Sequence, residues 1–548
     1  MRGSSRDSAL PVNGPVGARF SGRAEPRVHS RTRPQALALL AFLSLGAAVR
    51  PSVAQCPDGA PPPCARPTAT SRHAAPVERT PSLTVLYLVT GPGDTADIAL
   101  AEGITEELIA RLSDVAGLRV TSRYAALRFR ARGPVDPQRV GRDLGVRYVL
   151  QGSLRHIGDR VRVAVEVTEA ATGYNAWAQT YDQSLRDVFA VQDSVAVRVA
   201  EAVRGRLTRA ERARLAAAPP TTSDAYRAYL AGRAAIRGRT VAAAARAIAA
   251  YYRAIALDSS FAPAYAGLAH AYNVAADWGW DVPGVTYDSL GPLATRAARR
   301  AIALDSLTSE TWLGAAMGAR SDSPELALDY NRRAVRIDSA NIEALHQLAW
   351  GYYGTGELDS AIAIEQRVTS RDPYFAYAYA GVAEFLSIAG RPLEALAWAS
   401  QGLSIDSGFA ALHRQAAAAN LHLGRWAAAR AAAARAVELG DVPAPNRALV
   451  AIASLGGGDT ARARAAIDSL GSTLRGKLRR SPSGLSRTDA GYLAGAYAQL
   501  GQIDSAIAWV GRVAPWQRRF HAARFLHHWM YDPLRSDPRF QALFAEMR

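Results

Sequence analysis

The chain has 548 residues, 49% of them hydrophobic and 21% charged; at roughly 100–200 residues per domain this means several domains, or one domain plus an array. The apolar share excludes a wholly disordered chain, and two cysteines exclude a disulfide-built scaffold or a four-cysteine zinc fold. The net charge of +17 does not point to nucleic acid, because 64 of the 65 basic residues are Arg and the excess is a basic leader plus a thin, spread surplus.

Residues 1–54 read as a leader. Seven Arg in residues 1–34 precede an apolar run, Ala36 to Val49, and then the small residues Ser52-Val53-Ala54, which are the parts of a secretory signal. Fourteen helical residues reach about 21 Å, short of a ~30 Å hydrocarbon core, so a cleaved signal is expected and a membrane anchor at residues 36–49 is the alternative. Residues 55–82 read as a Pro-rich linker. Cys56 and Cys64 within it are either a local disulfide permitted by export or two free thiols.

Residues 83–207 carry the pattern of a small α/β domain with a mixed sheet. Leu83–Val89 reads as a buried strand. Leu100, Ile104, Leu108 and Leu112 mark one helix face, which leaves Glu106-Glu107 on an exposed face. Gly117–Ser122 is a second strand. Asp136-Pro137 starts a helix that Gly145 stops. Val146–Ile157 and Arg160–Thr168 pair about Gly158-Asp159, the second alternating Val with polar residues. A further strand, Tyr174–Tyr181, leads to a closing helix striped by Val191, Val195, Val199 and Val203. The expected order is βαβαβββα.

The segments EGITEELIARLSDVAGLRVTSR, GRDLGVRYVLQGSLRHIGDRVRVAVEVTEAATGYNAWAQTYD and DVFAVQDSVAVRVAEAV resemble the TolB amino-terminal-like (FlgO-type) domain. Val89-Thr90-Gly91 stands where that family usually has a Pro-Phe pair. The family module often occurs in bacterial proteins beside tetratricopeptide repeats, behind a cyclase, kinase or winged-helix domain. Here 82 low-complexity residues precede it, so the resemblance implies the sensory or scaffold part alone.

Residues 221–548 read as an all-α superhelix. Gly356, Gly390 and Gly424 are 34 residues apart, as are Ala361, Ala395, Ala429 and Asp338, Asp372, Asp406; this is the tetratricopeptide period. Leu268-Ala269 with Tyr272, Leu348-Ala349 with Tyr352, Val382-Ala383 with Leu386 and Leu493-Ala494 with Tyr497 fit its first-helix positions. About seven repeats are expected, some degenerate. The residue after each Asp, mostly Ser, is expected to cap the next helix, and residues 273–292 and 471–488 are expected to interrupt the period as insertions.

Such repeats stack with first helices on a concave face. His346, Trp350, Tyr353, Tyr377, Glu384 and Arg414 fall there by repeat position, either as a groove for a protein or peptide or as packing between repeats. No cofactor, metal or catalytic residue is expected. Gly471–Lys477 has phosphate-loop spacing, but Leu478 replaces the magnesium-binding hydroxyl and the context is helical. Gly91-Pro92-Gly93 is a plain turn. His521, His527, His528 and Asp532 make a His-rich patch without zinc-site geometry, and the basic run Arg475, Lys477, Arg479, Arg480 reads as a solvated loop. The expected function is non-catalytic protein binding at the cell envelope, periplasmic or exported. The rival is a sensor half with a small molecule between the α/β domain and the Trp278–Trp280 insertion, signalling through a partner chain.

Overall fold

Alternating Val along Arg160–Glu169 puts Val161, Val163, Val165 and Val167 on one buried face, while Arg160 and Arg162 pair with Asp182 on the wet face. This is how a one-sided antiparallel strand is built. In the computed structural model, which describes residues 80–545 apart from 92–94, 114, 131–134, 158–159, 185–187, 216–220, 238–239 and 340, that strand is β5. Around it stand β1 (Ser82–Val85), β2 (Val89–Thr90), β3 (Arg119–Val120), β4 (Tyr148–Ile157) and β6 (Asn175–Ser184). The sheet order is β3-β1-β4-β5-β6, with β2 also on β4. β1 is parallel to β3 and β4, and β4-β5-β6 are antiparallel, so the sheet is mixed. Helix α1 (Thr95–Ser113) lays Leu100, Ile104, Leu108 and Leu112 on the buried face, and α4 (Val188–Arg204) adds its Val stripe. Between them lie α2 (Arg123–Leu127), which sequence pattern missed, and α3 (Pro137–Leu144). Helix α3 begins at Asp136, whose carboxylate accepts the Gln138 and Arg139 N–H groups, and ends at left-handed Gly145.

The leader 1–54, the apolar run 36–49, Cys56, Cys64, nearly all of the linker, Pro92-Gly93 and the turn Gly158-Asp159 lie outside the described residues. No described helix is long and apolar enough to cross a membrane.

After α5 (Arg209–Leu215) the chain is helix on helix. Eight pairs follow among the described residues: α6 (Ser223–Ile236) with α7 (Val241–Leu257), α8 (Ala262–Trp278) with α9 (Tyr287–Leu304), α10 (Ser309–Ala319) with α11 (Pro324–Ile337), and α12 (Ile342–Gly354) with α13 (Leu358–Arg371). Then come α14 (Ala376–Ile388) with α15 (Pro392–Ile405), α16 (Ala410–His422) with α17 (Trp426–Glu438), α18 (Pro443–Gly456) with α19 (Thr460–Leu478), and α20 (Tyr492–Gln499) with α21 (Ile503–Gly511). Short helices α22 (Pro515–Phe520), α23 (Ala522–His527) and α24 (Pro538–Ala542) end the chain. Gly356, Gly390 and Gly424 take φ of 87°, 74° and 70°, the left-handed conformation that lets the chain leave one helix and enter the next.

The residue after each periodic Asp does not cap the next helix as expected: the N-caps of α8, α10, α14 and α16 are Phe261, Thr308, Phe375 and Phe409. Asp258, Asp305, Asp372 and Asp406 each sit at the end of a second helix, and each carboxylate accepts the N–H two residues on, from Ser260, Leu307, Tyr374 and Gly408 at 2.8–3.0 Å. The turn between repeats is therefore an Asx turn made by the Asp itself. The basic run is corrected too. Helix α19 continues through Leu478, and Lys477 is held inside by Asp489 at 2.7 Å.

The α/β part and the first repeats share one core. Leu83, Ile104 and Val163 belong to the same buried cluster as Tyr226, Leu230 and Tyr251. Helix α1 is covered on its second face by α6, where a Cβ on Gly103 would lie 2.5 Å from Leu230.

Candidate functional site

Two places gather polar chemistry: the inner face of the array and a cleft where the α/β part meets it. The inner face is filled by the chain's own C-terminal segment. Gln517 donates to Asp277 Oδ1 (3.2 Å), which also pairs with Arg320 (2.9 Å). Phe520 packs on Tyr353, whose hydroxyl meets His521 Nδ1 at 2.9 Å. Arg524 reaches across to Glu384 (2.9 Å), joined by Arg487 (3.3 Å) and Gln415 (3.0 Å). Burial alone would raise the Glu384 carboxyl, but Arg487, Arg524 and Arg414 hold it below the usual range. The two expected insertions clasp one another: Lys477 bonds the Gly279 carbonyl, and Arg480 lies 3.3 Å from Asp281.

The groove candidates therefore divide. Tyr353, Glu384, His346 and Arg414 are buried, at 0–9% exposure, which is the packing alternative: the segment after α19 lies on Tyr353 and Glu384, while His346 packs among Glu365, Phe375 and Tyr377. Arg414 is committed to Asp441 through two 2.6 Å bonds. His346 Nδ1 lies 2.7 Å from Oε1 of fully buried Glu365, close but poorly aligned. Trp350 stays half-buried against Tyr353 and Phe385, with ring centroids 5.3 and 5.0 Å away. Tyr377 is also half-buried and lines the cleft. In the His-rich patch, His521 and His528 are packed inside and His527 is exposed.

The cleft, of about 580 Å³, opens between α2, α6, α8 and α14. Its chemistry starts at Glu106, which the helix pattern placed on an exposed face. Once α6 covers α1, that carboxylate is buried and receives Arg233 (3.1 Å), Arg237 and Arg123 (4.0 Å). Burial works to raise it, and the three guanidiniums hold it below the ordinary value. Tyr87 donates to it at 3.2 Å; burial first, then the Glu106 charge, push that phenol well above its usual range. Arg237 also meets Glu102 at 2.5 Å, and Arg123 and Tyr124 reach across to Glu343 on α12. Sequence reasoning missed Arg123, Arg128, Arg233 and Arg237. The one available signal was Glu102 and Glu106 one helical turn apart, beside an apolar stripe too wide for a helix with a single partner. The Trp278–Trp280 insertion contributes no residue to this cleft. Its two indoles pack on each other at 5.8 Å, and Trp278 lies under Arg414.

No family model matches the chain. A Rhizobium meliloti (strain 1021) protein named as a candidate adenylate cyclase (number 3) is 36% identical over 188 residues, 34% of this chain and 32% of that one. The chain thus spans about a third of the length of this curated relative. Among solved structures, Pseudomonas aeruginosa pilF aligns with 41% of this chain and 96% of its own at 16% identity, TM-score 0.31. PilW, a type IV pilus biogenesis factor, aligns with 39% and 94% at 16% identity, TM-score 0.32. YrrB, described as a TPR protein with an unusual peptide-binding site, aligns with 34% and 90% at 23% identity, TM-score 0.24.

Proposed function

We propose that the chain is a non-catalytic, protein-binding scaffold of the bacterial cell envelope, with a TolB amino-terminal-like module at residues 83–207 and a tetratricopeptide array at residues 221–548. The observation that carries this reading is the stack of helix pairs, with left-handed Gly356, Gly390 and Gly424 34 residues apart, an architecture whose repeated surfaces serve recognition. Because the inner face is occupied by the chain itself, the docking surface of this proposal is the rim where Trp350 and Tyr377 remain half-buried. The apolar run 36–49 delivers the protein to the envelope, as a cleaved signal in preference to an anchor.

Capture by crosslinking from envelope fractions tests this reading. Trp350→Ala should lower partner affinity by at least ~2 kcal/mol with helicity nearly unchanged. A loss of about 3–5 kcal/mol in stability with capture intact would make Trp350 a packing residue and remove the docking surface. N-terminal sequencing of the mature protein tests the leader, and an intact leader on a carbonate-resistant membrane protein favours the anchor.

A second reading, a sensor that binds a small molecule and signals through a partner chain, is favoured by the cleft. It lies between two parts that share a core, so an occupant would touch both. A thermal-shift screen against metabolites tests it, since a ligand at 100 times its Kd adds ~2.7 kcal/mol.

A further inference from the structure

Four guanidiniums line the cleft, those of Arg123, Arg128, Arg233 and Arg237, and three of them meet the carboxylates Glu102, Glu106 and Glu343. Asp406 stands exposed at the mouth. Each guanidinium carries five N–H donors, and the ion pairs leave part of each fork free to meet an occupant. Among the described residues Arg128 pairs with no carboxylate; it is exposed at the rim and lies over the Tyr374 ring at 4.6 Å. The guanidiniums enter from α2 on one side and α6 on the other, an arrangement suited to a tetrahedral group with three acceptor oxygens rather than to a flat carboxylate with two.

The rest of the lining is mostly apolar, with aromatic rings beside Leu127, Ile236, Val274 and Ile405, and His270 among them. Tyr124, Tyr374, Tyr377 and Phe409 form one wall, Tyr377 and Phe409 meeting edge to face at 4.6 Å. The cleft's 580 Å³ lies within the ~300–1,000 Å³ of small-molecule sites, so an inorganic ion would leave most of it empty. From this juxtaposition we infer that the cleft binds a small phosphate ester carrying a planar ring, the phosphate among Arg123, Arg128, Arg233 and Arg237 and the ring against Tyr377 and Phe409. This rests on the sensor reading and adds the class of ligand.

The test is calorimetric titration of the full chain with phenyl phosphate, inorganic phosphate and benzoate. Phenyl phosphate is expected to bind saturably and about tenfold more tightly than either of the others, and Arg128→Ala, which removes no ion pair, to weaken it about tenfold. Tyr377→Ala, checked for folding by circular dichroism, should weaken phenyl phosphate and leave inorganic phosphate alone. Absence of saturable phenyl phosphate binding overturns the inference, as does undiminished binding by Arg128→Ala, which would put the ligand elsewhere. Equal affinity for inorganic phosphate overturns the ring, and equal affinity for benzoate overturns the phosphate. The metabolite screen decides the sensor reading separately, because a neutral ligand lost in Tyr377→Ala would keep that reading and sink this one.

Discussion

Glu106 shows how one carboxylate can organise a junction between two parts of a fold. It is 5% exposed and shared by Arg123, Arg233 and Arg237, and removing one partner of a buried charge cluster strands the others in low dielectric. Glu106→Gln should therefore cost about 3–5 kcal/mol, measured by denaturant unfolding, whereas a cost near zero would mean that water already screens the cluster. His521 gives a pH prediction. Arg487 Nε–H donates to its Nε2 at 3.2 Å, so the neutral ring carries its proton on Nδ1 and donates to Tyr353. Burial, then Arg487, Arg320 and Arg524, depress its pKa well below 6.5, and burial with Arg524 does the same for His528. The unfolded chain thus takes up protons that the folded chain refuses. Stability contributed by these rings is complete above pH ~6.5 and falls as the pH drops from there toward their lower folded values, by up to about 1.4 kcal/mol per pH unit for each ring. Melting curves at falling pH should show this slope, and His521→Gln should reduce it; an unchanged slope would place the titration elsewhere.

At the scale of elements, the period in the sequence carried physical content. A Cβ on Gly390 would meet nothing within 4 Å, yet its φ is 74°, so the cost of substitution there is purely backbone. Gly390→Val should lose about 1–3 kcal/mol, and an unchanged melting curve would contradict the conformation. The longer helices and β5 were legible from their 3.6- and 2-residue apolar repeats, and β4 and β6 from the turns that bound them on either side of β5. The shortest pieces were not. β2 and β3 have two residues each and α2 has five, too few for any period to show. The arginines of the cleft were illegible for another reason: Arg123 and Arg237 are 114 positions apart, and only the packing of α6 on α1 brings them together. The Asx turns are intermediate. The Asp period was visible, but the hydrogen-bond geometry that gives the turn to the Asp itself, and not to the residue after it, was not.

For the whole molecule, the decisive feature is the C-terminal segment lying across the inner face. Open arrays of stacked repeats touch only their neighbours, so they fray from either end and lose their units in sequence. Here residues 477–528 bind the end of α8, α12 and α14 at once, through Gly279, Asp277, Tyr353 and Glu384. Peeling away a repeat at one end therefore strips partners from repeats far along the chain. Chemical denaturation followed by tryptophan fluorescence and by far-UV circular dichroism should give coincident curves, and Arg487→Ala with Arg524→Ala should separate them; separate curves in the unaltered chain would contradict the strap. In mechanical terms the strap changes the material. A bare superhelix stretches like a coil spring, each turn yielding a little, whereas one tied across its own turns is stiff until the tie parts. Pulled from its ends, this protein should hold its length under load and then give way in one large extension.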